Sequence, residues 1–321
     1  MRFHGALSSF TSRAVFSATT LLTLTMKFRP LAFVASVVVV VILLCSRESF
    51  GWGFWAHKEI HRYAIRSLPV EMKAFFEANA EEIVERSIEP DERARTDRLV
   101  EGPYHFIDID RYGAFPFKEL PRSYDEAVKK FGKATVDSNG TVPWRIADFT
   151  AKLTDAMKRK DKKDILFYVA NLGHYVADVN VPLHTVENYD GQLSDQRGIH
   201  SRWESRIPEM FGRKFNLKAE AVEHIKDPLD FAFTMVLESN RMADTVLAAD
   251  KKAKEGIPES ELFKVTERRG RTEYQYSDRY YGRFNQFLNG MVERRMNNSI
   301  RRVASYWYTA WVNAGKINLE F

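Results

Sequence analysis

Residues 171–184 read NLGHYVADVNVPLH and close a periodic run that opens at Asp164. Apolar residues recur there at three- and four-residue intervals, which predicts a helix over Asp164–Val179. His174 and Asp178 are four apart on it, so both project from one face. Pro182 cannot continue the hydrogen-bond ladder and closes the helix. His184 follows two residues later, where the chain can turn back towards the same face. The same spacing marks helices over His57–Leu68, Val70–Ser87, Trp144–Arg159, His200–Phe211 and Asp230–Lys254. A last stretch, Arg283–Ala314, ends at Gly315, a C-terminal stop. No segment alternates convincingly as a strand, and no internal repeat is visible. Turn formers concentrate in Val136–Val142 and Thr185–Gly198, and neither is simple enough to be a linker. The expectation is an all-α fold, a single compact multi-helix domain over residues 52–321.

Composition narrows the class. Of 321 residues, 45% are hydrophobic and 28% charged, so a large core can form and disorder throughout is excluded. The single cysteine, Cys45, excludes an internal disulfide and a thiolate zinc cluster. A chain of this length buries enough surface without such staples. The formal charge of +5 misleads, because residues 1–51 hold five basic residues and one acid. The remainder carries 43 basic and 42 acidic side chains, which gives no basic footprint for nucleic acid.

Residues 1–51 read as a leader. Lys27 and Arg29 precede the 15-residue apolar run Leu31–Cys45, followed by SRESFG with small residues Ser49 and Gly51 at −3 and −1. Met26 is a candidate for the true start. The run is short of the ~20 residues a spanning helix needs, so no stable transmembrane anchor is expected after processing. Leu44 is bulky where a lipoprotein signal at Cys45 would want a small residue. The mature chain would begin at Trp52 and be exported, to the periplasm or beyond the cell.

Eight histidines carry the chemistry: His4 in the leader, then His57, His61, His105, His174, His184, His200 and His224. Histidine is intermediate in burial, and taken singly each fits a surface or core position. In GIHSRWES, however, His200 and Glu204 repeat the four-residue spacing of His174 and Asp178. A His/carboxylate pair on one helical turn can close on a divalent cation, and nitrogen plus oxygen donors without thiolate suit zinc. His61, one turn after His57, makes HKEIH look like a metal pair but reads as packing or as support behind a ligand, and His224 in AEAVEHIKD reads as surface. Asp91, after Pro90, reads equally as a helix N-cap.

Together WGFWAH, PD followed by YHFID, HYVADVNVPLH and GIHSRWE resemble the superfamily of zinc-dependent phospholipases C and single-strand-specific zinc nucleases. The motifs run in order from Trp52 to Glu204; from about Pro208 onward no family motif is placed. The resemblance implies a helical domain around three zinc ions. One would be held by Asp91, His105, His174 and Asp178, and a second by His184, His200 and Glu204. The third would take His57, an oxygen of Asp178, and the α-amino nitrogen and carbonyl oxygen of Trp52. The resemblance further implies a zinc-activated water attacking a phosphodiester, with Asp91 orienting or deprotonating it. In the nucleases the residues matching Phe106 and Asp108 contact a base.

Glutamate as the last ligand in GIHSRWE and the absence of cysteine past Trp52 favour the phospholipase branch, releasing a phosphorylated head group. WGFWAH and YHFID favour the alternative, a single-strand endonuclease and 3′-nucleotidase. The partner is accordingly a phospholipid or a single-stranded nucleic acid, and no obligate protein partner is evident. A third reading, a helical binding protein whose zinc only holds the fold, fits poorly, because structural zinc sites are closed and usually thiolate-rich.

Overall fold

The helix Lys162–Asp178 runs through the centre of the molecule and is buried along most of its length from Ile165 onward. Asp161 starts it, its side chain accepting from the Asp164 N–H at 3.1 Å, while left-handed Lys160 (φ 56°) ends the preceding helix. The computed structural model describes residues 52–268 and 271–320. The expected leader, with His4 and Cys45, lies outside the described residues.

Around the central helix pack Val142–Arg159, Met291–Asn313, Ala80–Arg86 and Phe54–Arg66. Trp307 locks the last helix onto it by donating to the Val169 carbonyl at 2.9 Å. The 27-residue helix Pro228–Lys254 covers the turn Pro182–Thr185 that carries His184. Asp227 caps that helix by accepting from Leu229 and Asp230 at 3.0 Å each, with Pro228 at the first position. Ser239 donates to the Val179 carbonyl at 2.5 Å and Asn240 to the Thr185 carbonyl at 2.9 Å. The corner after Asp178 is therefore fixed from the C-terminal side. No helix among the described residues is long and apolar enough to cross a membrane.

The fold is all-α, with departures from the periodic reading. Val70–Ser87 divides into Val70–Ala78 and Ala80–Arg86, because Asn79 donates its side-chain amide to the Phe75 carbonyl and leaves the helical geometry. Arg283–Ala314 divides into Asp278–Phe287 and Met291–Asn313 at Asn289 and Gly290, both with positive φ. His200–Phe211 becomes two short α-helical pieces around a π turn, Arg202–Arg206. One hairpin escaped the sequence reading: Phe263–Arg268 pairs antiparallel with Arg271–Tyr276, placing Val265 opposite Tyr274. Its alternation is short, Phe263 and Val265 on one strand and Tyr274 and Tyr276 on the other, which falls below the roughly four to eight residues a strand pattern needs.

Candidate metal centre

Three groups of side chains converge beside the end of the central helix. His57 with His174 and Asp178, Asp91 with His105 and His174, and His184 with His200 and Glu204 each bring donor atoms within 4.8 Å of one another. All are buried except His200, which is partly exposed. Asp178 turns Oδ1 towards His57 Nε2 at 3.3 Å and Oδ2 towards His105 Nδ1 at 2.9 Å and His174 Nε2 at 3.1 Å. Asp91 Oδ1 stands 3.8 Å from His105 Nδ1 and 3.6 Å from His174 Nε2. Glu204 Oε2 lies 3.3 Å from His184 Nε2 and 2.8 Å from His200 Nε2. Two donors sharing one zinc ion at ~2.0–2.2 Å stand about 3.3 Å apart at a tetrahedral angle. The observed separations bracket that figure.

Backbone carbonyls set the tautomers. His174 Nδ1 lies 2.8 Å from the Ser87 carbonyl, and His184 Nδ1 lies 2.6 Å from the His105 carbonyl. A carbonyl only accepts, so both Nδ1 atoms carry a proton and both Nε2 atoms face the cluster. His174 Nε2 and His105 Nδ1 are 3.1 Å apart, a pairing two lone pairs tolerate when a cation lies between them.

Electrostatics fit the same occupant. Burial pushes His57 down to about 3 and His105 below its ordinary value, so both rings stay neutral and able to donate a lone pair. Burial, then the charges of Asp178 and Glu204, push Asp91 well above the usual carboxylate range. Burial also works against the Asp178 anion, but His174, His105 and His57 outweigh it and hold that carboxyl well below. His57 Nδ1 and Asp91 Oδ1 have no hydrogen-bond partner among the described residues although both are buried. Orphaned donors of this kind, with neutral imidazoles and crowded carboxylates, fit a divalent cation.

Asp91 is not an N-cap. Ile88 holds that position for the helix Glu89–Thr96, and Asp91 sits inside the first turn with its side chain turned into the protein. Trp52 is fully buried, donates Nε1 to the Ala177 carbonyl at 2.9 Å and packs on Trp203 at 4.9 Å. The next residue, Gly53, donates to the Glu204 carbonyl at 3.1 Å. These bonds tether the start of the described chain between the residues neighbouring Asp178 and Glu204. His61 faces away from the cluster: its ring nitrogens lie 2.8 Å and 3.1 Å from the carbonyls of His57 and Ala170. A Cβ on Gly173 would stand 2.4 Å from His61 Nε2, so only glycine lets that ring lie on the central helix. His224 is on the surface, bonded to Asn313.

Phe106 and Asp108 form a corner directly after His105. Its backbone is braced on three sides: Ile107 N–H donates to the His184 carbonyl, Asp108 N–H to Asn139, and Val142 N–H to the Phe106 carbonyl. The Phe106 ring is half-buried, and Asp108 Oδ1 has no partner among the described residues. Burial, then Asp110, pushes the Asp108 carboxyl up to about 7.

One contributor was not read from the sequence. Glu101 Oε1 stands 3.8 Å from His105 Nε2, the nitrogen that points away from the cluster. Arg93 grips Glu101 with two bonds of 3.1 Å, and Tyr175 donates to it as well. Its signal was available, since Glu101 precedes His105 by four residues.

A buried histidine–carboxylate cluster with an orphaned carboxylate oxygen, on a helical scaffold, is a candidate metal centre. Residues 56–306 match the S1/P1 nuclease family, and the chain belongs to it. The family consists of zinc-dependent phosphoric ester hydrolases. Among solved structures, the alpha-toxin of Clostridium perfringens from avian strain SWCP is similar at 14% identity with a TM-score of 0.49. That match covers 84% of this chain and 65% of the toxin, so the chain spans a little under two thirds of that protein's length. No curated protein matches the chain.

Proposed function

We propose that the chain is a zinc-dependent phosphodiesterase that cleaves single-stranded nucleic acid and 3′-nucleotides. Three zinc ions would be held by Asp91, His105, His174 and Asp178, by His184, His200 and Glu204, and by His57, Asp178 and the Trp52 terminus. When bound, they supply a Lewis acid for the phosphate oxygens and lower the pKa of water at the site. Asp91 turns Oδ1 to His105 and His174, and its other carboxylate oxygen would orient the attacking water and accept its proton. Processing after Gly51 would free the Trp52 amine and place the enzyme outside the cytoplasm.

The Phe106–Asp108 corner carries the substrate choice. A half-exposed ring on the braced backbone next to His105 offers a stacking face, which binds any base and requires it to leave a duplex. A carboxyl poised near pH 7 can both donate to and accept from a base edge. A quaternary ammonium head group has no such hydrogen bonds to make and is better served by a fixed negative charge. The matched family supports the same weighing, although GIHSRWE and the cysteine-free body had favoured phospholipids. One observation favours the lipid reading: Leu99 (90% exposed) and Val100 (57%) lie bare on the short turn between Asp91 and His105. A lipid interface would cover them.

The deciding experiment measures both activities on one zinc-loaded preparation. Turnover of single-stranded oligonucleotides, with duplexes spared, is expected. Phe106→Ala should weaken nucleotide binding about 5- to 150-fold, the range equivalent to ~1–3 kcal/mol of stacking per base. Efficient phosphatidylcholine cleavage with oligonucleotides untouched overturns the proposal.

A further inference from the structure

Arg202 stands midway between His200 and Glu204, and its side chain leaves in the opposite direction, towards the C-terminal third of the chain. It is buried and makes four directed bonds. Nε donates to the Tyr280 hydroxyl at 2.9 Å and Nη2 to Asp250 Oδ1 at 3.1 Å. Nη1 and Nη2 also bond the carbonyls of Arg197 and Gln196 at 2.7 and 3.0 Å, just before the helix that carries His200. Asp250 is fully buried in the helix Pro228–Lys254 and also receives the Tyr280 hydroxyl, the Gln196 amide at 2.6 Å and Lys254 at 2.7 Å. Five groups from four segments of the chain thus meet behind one turn.

That turn is the π turn Arg202–Arg206. A π turn is rare and occurs mostly as a single-turn bulge within an α-helical run, frequently at a functional site. Stability alone is a weak reason for a buried guanidinium–carboxylate pair, since an apolar replacement of similar volume is often as stable. What the pair supplies is register. The planar guanidinium fork fixes the rotation of residues 200–204 about their own axis, and that rotation decides whether Glu204 meets both His184 and His200.

We propose that Arg202, anchored on Asp250 and Tyr280, is a positioning residue that holds the π turn and thereby the zinc affinity of the His184/His200/Glu204 group. The inference rests on the reading of that group as a zinc site. It gives the C-terminal third, which bears no motif of its own, a part in building the centre.

The test titrates zinc into the metal-stripped protein and follows affinity site by site, with circular dichroism and Tm read on the same samples. The double variant Arg202→Met/Asp250→Leu removes both charges and keeps the volume. It should fold with a Tm near that of the wild type while one zinc site weakens ~10–100-fold and the others hold. Tyr280→Phe, which keeps the ring and loses one donor and one acceptor, should weaken the same site by a smaller factor. Wild-type affinity at every site in a folded double variant overturns the inference. If the double variant does not fold, Tyr280→Phe decides alone by the same criterion. His200→Ala separates the two layers. Retention of the full zinc complement in that variant overturns the zinc reading of the group and the inference with it. Loss of one equivalent there, with unchanged binding in the other variants, overturns the inference alone.

Discussion

Asp178 Oδ1 stands 3.3 Å from His57 Nε2, while the second oxygen of the same carboxylate is turned to His105 and His174. One side chain therefore faces two donor groups. If it bridges two ions, Asp178→Asn removes one anionic ligand from both. The expected outcome is loss of more than one zinc equivalent by elemental analysis of the folded variant. Loss of a single equivalent contradicts bridging.

The start of the chain offers a second check. Trp52 is clamped by its indole on Ala177, and Gly53 by its N–H on Glu204, so residue 52 has little freedom to move. A preparation retaining Gly51 carries an amide nitrogen at Trp52, which cannot donate the lone pair of a free amine. Its zinc content should fall by one equivalent, with most activity lost. Full zinc and activity in that preparation would show that the amine is not a ligand.

Asp108 predicts a pH dependence whose sign is fixed. Its carboxyl is raised in the folded state from the ordinary 3.8 to about 7, so the folded protein binds the extra proton. The associated stability is present below about pH 4 and is lost as pH rises through 7. Asp108→Asn resembles the protonated acid and lacks this loss. The Tm of the variant should gain on that of the wild type between pH 4 and 8, and a constant difference across that range refutes the shift.

Gly173→Ala tests the packing beneath the cluster. The new Cβ would stand 2.4 Å from the His61 ring, which lies between the carbonyls of His57 and Ala170, donates to one of them, and packs beside Trp307 at 5.6 Å. Neither neighbour can give way cheaply, so the change should cost ~1–3 kcal/mol in a denaturant titration. An unperturbed midpoint would mean that the ring moves freely.

Much of the centre was legible because its spacing is local. His174 and Asp178 share a face through the α-helical period, His200 and Glu204 have the same four-residue spacing across a π turn, and the structure brings each pair together. The long apolar-periodic segments likewise announced helices, since periodicity reports one buried face. What failed was also local in origin. Asn79 and Asn289–Gly290 broke helices that hydrophobic spacing carried straight through, and the alternation in the hairpin was too short to mark its strands.

By itself, then, the sequence determined the all-α class, the histidine–carboxylate pairs and the family motifs, all of which depend on residue kind and short spacing. Only the tertiary structure decided that His61 turns to carbonyls while His57 turns to Asp178, because the two share one helical face and differ only in what packs against them. It alone decided the elevated Asp108 carboxyl, which follows from burial and from Asp110. It alone brought Asp250 and Tyr280 behind Arg202, 48 and 78 residues away along the chain. Desolvation and contacts of that sequence separation belong to the packed chain, and no short-range pattern encodes them.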